Sequence, residues 1–285
     1  MSHKKLQIGF IGQGWIGKHY ADDFEARGYQ TIRFSLEEPY NNNKKLIGSC
    51  PITFIAVPTP TTPNGFDGSI LRDALGNIKS GNIAVIKSTT IPGFTKQLQA
   101  EFGDIILLHS PEFLVEKTAA YDAANPKRTI VGLPVESETH RKAAETVLEI
   151  LPVAPYTKVM SSTESELVKY AGNCFLYTKV LFMNALVDVV NNCEANFEII
   201  REAMIMDDRI GSSHTYPIHD SGRGAGGHCF IKDFEIFKEY YKELNGSDAA
   251  YTMLTAMSEY NTHLLKASNK DLDLLSGVYG EEVLK

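Results

Sequence analysis

The chain lacks the features that mark a secreted, membrane-bound or nucleic-acid-binding protein. Its cysteines are only four, Cys50, Cys174, Cys193 and Cys229, scattered without the paired spacing of a zinc site or a disulfide framework, so reduced thiols and no metal are expected. No apolar core follows Met1-Ser2-His3-Lys4-Lys5, and no apolar stretch reads as long enough for a membrane span, so neither a signal peptide nor a membrane partner is expected and a cytoplasmic location is. Positive charge is also short: 28 Lys and Arg against 35 Asp and Glu give a net charge of −7, the wrong sign for a nucleic-acid partner. What is present is an ordinary globular composition, 43% hydrophobic and 22% charged over 285 residues, enough for two domains.

One stretch organises the rest. Gly222-Arg223-Gly224-Ala225-Gly226-Gly227-His228-Cys229-Phe230-Ile231-Lys232-Asp233 places four glycines within six residues, a backbone read as a loop built for unusual torsions and close approach. A thiol follows, and then an ammonium and a carboxylate suited to stabilising a thiolate and handling a proton. This pattern resembles the active-site loop of the UDP-glucose/GDP-mannose dehydrogenase family: Gly222, Gly224, Gly226, Gly227, Cys229, Phe230, Lys232 and Asp233 all match, while Ile231 stands where proline is common.

At the other end of the chain, the apolar run Leu6–Ile11 leads into Gly12-Gln13-Gly14-Trp15-Ile16-Gly17 at the head of a helical segment. Strand, glycine turn and helix are the context of a dinucleotide fingerprint, with Gly12 for the turn, Gly14 for approach of the pyrophosphate and Gly17 for packing helix on strand. The next strand, Thr31–Phe34, ends at Ser35 where an acidic residue usually receives the ribose hydroxyls. Glu37 is within reach of that position, and Arg33 beside a serine would suit a 2′-phosphate. NAD is the expected cofactor, with NADP the alternative.

Further motifs follow in family order. Val57-Pro58-Thr59-Pro60 resembles a valine-proline-threonine-proline loop, which implies cofactor contacts from Val57, Pro58 and Thr59. Ser88-Thr89-Thr90-Ile91-Pro92-Gly93 resembles a serine-threonine turn, implying that Thr89 faces cofactor and reaction site and helps hold a water; Ser88 reads as a helix N-cap. Pro111-Glu112-Phe113-Leu114-Val115-Glu116 resembles a proline-glutamate-phenylalanine-leucine-arginine-glutamate segment with Val115 in place of arginine. Glu112 and Glu116, four apart, are read as meeting on one face of a helical turn. The resemblance gives Glu116 the water-positioning role and puts Glu112, Phe113 and Leu114 at the substrate. Lys169-Tyr170-Ala171-Gly172-Asn173 resembles lysine-tyrosine-x-x-asparagine within one long helix read from Ser161 to about Met206. Lys169 and Asn173, one turn apart, would stabilise an oxyanion. Arg209 matches an arginine that reaches the substrate of a neighbouring subunit.

The fold expected is α/β: a Rossmann-like NAD-binding domain over residues 1–155, then a mostly helical dimerisation domain over 156–285 carrying the cysteine loop. The resemblance implies a homodimer acting on a nucleotide sugar. Cys229 would form a thiohemiacetal and then a thioester, with Lys169, Asn173, Asp233, Glu116 and Thr89 assisting, Lys232 giving electrostatic support beside the cofactor, and Gly226 lining the substrate. The resemblance covers about two thirds of a usual member, so a chain without the family's third, nucleotide-binding domain is expected. Two other functions remain open: a two-electron hydroxyacid dehydrogenase that leaves Cys229 idle, and a non-catalytic binding or regulatory relative.

Overall fold

The computed structural model describes residues 6–219 and 222–285. In chain order the elements begin β1 (Gln7–Ile11), α1 (Trp15–Ala26), β2 (Gln30–Phe34), α2 (Lys44–Ile47), β3 (Ile52–Ile55), β4 (Thr61–Thr62), β5 (Gly65–Phe66), α3 (Ser69–Leu75), β6 (Ile83–Ile86), α4 (Phe94–Glu101) and β7 (Ile106–His109). They continue with α5 (Ala119–Ala124), β8 (Arg128–Leu133), α6 (Glu138–Ile150), β9 (Tyr156–Ser161), α7 (Ser162–Asn192), α8 (Phe197–Ile205), β10 (Ile218–His219), β11 (Gly222–Arg223), α9 (Gly227–Asn245), α10 (Ala249–Ala267) and α11 (Leu272–Tyr279). Two compact units result, one formed by residues up to Pro60 with Asp67–Lys169, the other by Thr61–Phe66 with Tyr170–Lys285.

The first unit is a seven-stranded sheet of order β2-β1-β3-β6-β7-β8-β9. All its pairings are parallel except β7 with β8. Ile83–Ile86 reads as an unbroken apolar run, and Ile52–Ile55 is buried throughout with only Thr53 polar, because helices cover both faces of a parallel sheet. Phe10, Phe24 and Phe54 form the centre of the core, with Phe10 stacked on Phe54 at 5.4 Å and edge-on to Phe24 at 5.3 Å. The chain leaves β1 for β2 on one side and returns to β3 on the other, which makes the carboxyl ends of β1 and β3 a topological switch point, the place where such sheets bind ligands. This is the Rossmann-like architecture expected.

The second unit is mostly helical, with the two short strand pairs β4–β5 and β10–β11. Tyr177 on α7 stacks on Phe234 of α9 at 3.9 Å, and Leu254 and Leu264 of α10 close that core. A second cluster joins Ile231 of α9 to Leu265, Leu275 and Val278.

Three readings of the sequence are corrected here. The long helix from Ser161 to Met206 is two helices: Glu194 adopts φ 53°, and Asn196 caps α8 by accepting from the amides of Glu198 and Ile199. A strand that sequence patterning misses, β9, pairs with β8; it lies at the sheet edge with Tyr156–Lys158 exposed, so it carries no apolar run. And α7, at 31 residues, is by length and composition long and apolar enough to cross a membrane, against the expectation that no stretch is. A core helix passes the same test, and Ser165, Glu166 and Lys169 on α7 are all buried with bonded polar partners in the first unit.

Candidate active site

At the switch point the glycines behave as close-packing residues. Gly12 has φ 86°, and a Cβ there would lie 2.2 Å from the carbonyl oxygen of Ala56; one on Gly17 would lie 1.9 Å from that of Gly12. Gly14 differs, since a Cβ there meets nothing within 4 Å, and it is the N-cap of α1 with no side-chain cap. The amides of the first turn of α1 thus open onto a pocket of about 1110 Å³. Uncapped N–H groups, open space at Gly14 and the positive end of the helix dipole fit a pyrophosphate.

Gly12, Gly14, Trp15, Ile16, Ser35, Glu37, Val57 and Pro58 line this pocket, while Gly17 packs beneath it. Thr59 is not on its wall; its hydroxyl donates to the carbonyl of Thr89 at 2.6 Å. The wall also takes Tyr40, Lys44, Ile70 and Asn77, which sequence reading missed because tertiary folding alone brings them there. Arg33, considered for a 2′-phosphate, is buried and already neutralised: it pairs with Asp22 and Glu25, each at 2.7 Å. Burial would push both carboxyls up, but hydrogen bonds from Arg33, with Lys18 on Asp22 and Thr31 on Glu25, hold them below the usual range.

Beyond β6, Ser88 is not the helix N-cap expected. Its hydroxyl accepts from the Val57 amide at 3.0 Å and donates to the Val57 carbonyl at 2.7 Å, tying the ends of β6 and β3 together. Gly93 is the N-cap of α4, and the cap is supplied from far away by Glu166, whose buried carboxylate accepts from the amides of Gly93 and Thr95 and the hydroxyls of Thr90 and Thr95. Burial still pushes that carboxyl up, against those four bonds.

Glu112 and Glu116 do not share a helical turn. Residues 111–115 are irregular because Glu112 Oε2 folds back to accept from the Leu114 amide at 2.7 Å, and Glu116 begins a 3-10 turn at the exposed surface. Glu112 Oε1 instead takes Lys169 Nζ at 2.7 Å, with both side chains 7% exposed. The guanidinium of Arg128 covers the Phe113 ring at 3.7 Å. Nearby is a group that sequence reading passed over: Lys87 Nζ donates to Ser110 Oγ at 3.1 Å and lies 4.3 Å from the Tyr20 ring. Burial pushes this ammonium down to about 7, with Glu112 opposing.

In the second unit, Cys229 is not in a loop. The irregular glycine segment ends at Gly226, the N-cap of α9, and Cys229 is the third residue of that helix, exposed and at the positive end of its dipole. One turn on, Asp233 is 1% exposed; its Oδ2 accepts from Asn173 Nδ2 at 2.6 Å and its Oδ1 from Lys232 Nζ at 2.6 Å. Lys169 and Asn173 are successive turns of α7, and one amide hydrogen of Asn173 is committed to Asp233, which fixes the plane of the other. Arg209 is 89% exposed and pairs with Asp207 at 2.6 Å. Burial pushes the thiols of Cys50, to about 11, and Cys174 upward, so neither competes as a nucleophile.

The parallel sheet and the pocket at its switch point define a Rossmann-like, dinucleotide-binding class of protein. The chain belongs to the UDP-glucose/GDP-mannose dehydrogenase family: that family's NAD binding domain matches residues 38–151 and its central domain residues 163–263. The expected cofactor, NAD, agrees with that match. Among curated relatives, the UDP-glucose 6-dehydrogenase YwqF of Bacillus subtilis (strain 168) is 30% identical over 246 residues, 76% of this chain and 53% of that protein. The UDP-glucose 6-dehydrogenase of Rhizobium meliloti (strain 1021) is 29% identical over 203 residues, 67% of this chain and 46% of that protein. The chain therefore spans about half the length of these relatives. Among solved structures, a UDP-glucose dehydrogenase from Pyrobaculum islandicum superposes with TM-score 0.78 at 24% identity over 92% of this chain and 70% of that one. A 3-hydroxyisobutyrate dehydrogenase of Mycobacterium tuberculosis does so with TM-score 0.71 at 15% identity, over 96% and 98%. At these identities the likeness is one of fold.

Proposed function

We propose that the protein is an NAD-dependent nucleotide-sugar 6-dehydrogenase that oxidises a primary alcohol to a carboxylate through a covalent cysteine intermediate. The observation that carries this reading is Cys229 on the first turn of α9, one turn before an Asp233 held between Asn173 and Lys232. Bound NAD supplies the hydride acceptor in each of two successive oxidations. The first removes a proton and a hydride from the alcohol and leaves an aldehyde. An aldehyde has no further hydride to give until a nucleophile makes it tetrahedral, so the Cys229 thiolate adds to the carbonyl carbon. Lys169 and the remaining amide hydrogen of Asn173 stabilise the oxygen anion that forms. Loss of the second hydride leaves a thioester on Cys229. Water, deprotonated with help from Asp233 and positioned by Glu116 and Thr89, cleaves it to the carboxylate and the free thiol.

The homodimer belongs to the same reading. Phe175, Phe182 and Val189 recur every seven residues on α7 and are 69%, 58% and 59% exposed, an apolar stripe that a second copy of the helix would cover. The test is a screen of UDP-glucose, UDP-N-acetylmannosamine and GDP-mannose for NAD reduction by protein whose mass in solution is measured alongside. Reduction with one of them by a dimer is the expected result; no reduction with any, by folded protein that binds NAD, opposes the reading.

A further inference from the structure

The glycine segment before Cys229 is gripped by Asn261, near the end of the central-domain match, and by Ser268, Lys270 and Asp271, which lie beyond it. The end of α10 and the turn into α11 lie against it. Asn261 Oδ1 accepts from the Ala225 amide at 2.7 Å and its Nδ2 donates to the Ala225 carbonyl at 3.0 Å. Ser268 Oγ accepts from the Arg223 amide at 2.9 Å. The buried ammonium of Lys270 donates to three carbonyls, those of His219 at 3.0 Å and of Gly222 and Gly224 at 3.2 Å. Asp271 Oδ2 accepts from the Gly227 amide at 2.7 Å, the first residue of α9.

The glycines answer this grip. A Cβ on Gly222 would lie 2.4 Å from Ser268 Cβ, and one on Gly226 would lie 2.0 Å from Asp271 Oδ2 and 2.8 Å from Lys270 Cε. Asp271 is the more telling residue. It occupies the N-cap of α11, where an aspartate ordinarily caps its own helix, yet its side chain makes no bond there and reaches α9 instead. Asp271 and Asn269 both take left-handed backbone, with φ 52° and 51°, a region that among non-glycine residues asparagine and aspartate enter most readily. The turn thus takes a tight left-handed form while the carboxylate of Asp271 caps a different helix.

We infer that Lys270 and Asp271 are positioning residues for the Cys229 thiol: Lys270 gathers the glycine segment by its carbonyls, and Asp271 fixes the start of α9 and sets the charge that the thiolate meets there. This rests on Cys229 being the nucleophile, as proposed above. The charged and titratable groups on or bonded to the first turns of α9 are His228, Lys232 and Asp233 from the helix and Asp271 from the turn, with Lys270 on the preceding segment. Asp271 is the negative group placed at the positive helix end, where it opposes thiolate formation while holding the backbone in place.

The test measures iodoacetamide alkylation of Cys229 against pH in Cys193→Ser protein, which removes the other exposed thiol, beside kcat and KM. Asp271→Asn keeps an acceptor for the Gly227 amide and loses the charge, so the alkylation midpoint should fall by ~0.5 pH unit with kcat within a few-fold. Asp271→Ala and Lys270→Met lose the hold, so alkylation and kcat should both fall about tenfold or more while NAD affinity stays unchanged. Folded Asp271→Asn with the parent midpoint, or folded Lys270→Met with the parent alkylation rate, overturns the inference. Because alkylation needs no turnover, shifted midpoints in a protein that oxidises no nucleotide sugar would sustain this inference and refute the dehydrogenase reading.

Discussion

Asn173 Nδ2 and Asp233 Oδ2 are 2.6 Å apart, and the other oxygen of Asp233 is taken by Lys232. The carboxylate is therefore a fixed anion that orients two donors as well as a base. Asp233→Asn would set an amide against the Asn173 amide and leave Lys232 facing a neutral group. We expect kcat to fall by about 10²-fold or more, the scale of a lost acid-base group, with NAD affinity unchanged. Steady-state kinetics beside calorimetric NAD binding checks this; an equal loss in NAD affinity would contradict it.

Cofactor choice follows from the neutralised Arg33. With its guanidinium held by Asp22 and Glu25 and Glu37 on the pocket wall, NAD should bind more tightly than NADP. Glu37→Ala should weaken NAD by ~1–3 kcal/mol, the range for a charged hydrogen bond. Asp22→Asn with Glu25→Gln, which frees Arg33, should narrow the preference. Calorimetry with both cofactors decides it, and tighter NADP binding by the parent protein would make Arg33 the cofactor residue.

Lys169 and Glu112 form a buried pair, so removing one partner strands the other. Lys169→Met should cost ~3–5 kcal/mol in urea unfolding, and adding Glu112→Leu should recover much of it. A double variant no more stable than Lys169→Met would mean that the pair is not what holds the segment.

Lys87 predicts a pH dependence of stability. Burial pushes it down to about 7 in the folded protein, below the ordinary lysine value of ~10.4. Between those values the unfolded chain holds a proton that the native chain has released, so this contribution is present at high pH and is lost as pH falls through about 7. Stability should therefore rise from neutral pH toward about pH 10, by no more than about 5 kcal/mol from this group. Lys87→Met should flatten the rise in urea unfolding measured across that range; an unchanged slope would place the titration elsewhere.

What the sequence made legible was whatever physics writes locally. The buried strands of a parallel sheet are mostly apolar, so Ile52–Ile55, with its one Thr53, and Ile83–Ile86 are legible, as is the turn at Gly12, whose torsion and crowding only glycine meets. Edge strand β9 is not, because its exposed residues carry no apolar signal. The glycines around Cys229 point to a loop because glycine disfavours helix, yet Gly227 lies at the first helical position, where its φ of 78° is still outside the helical range. Long-range charges were the larger gap. Glu166 capping α4, Lys87 bonded to Ser110 and Asp271 capping α9 are single residues whose partners lie 73, 23 and 44 positions away, and nothing in their own neighbourhoods announces them.

Product stoichiometry reads directly whether Cys229 carries the second oxidation. A limiting amount of the nucleotide sugar that the screen identifies is consumed completely with excess NAD, and NADH and carboxylate are counted together. The thioester route predicts two NADH per alcohol with carboxylate as the product, and loss of the carboxylate in Cys229→Ser. One NADH per alcohol, or a Cys229→Ser protein that makes carboxylate at the parent rate, would contradict it.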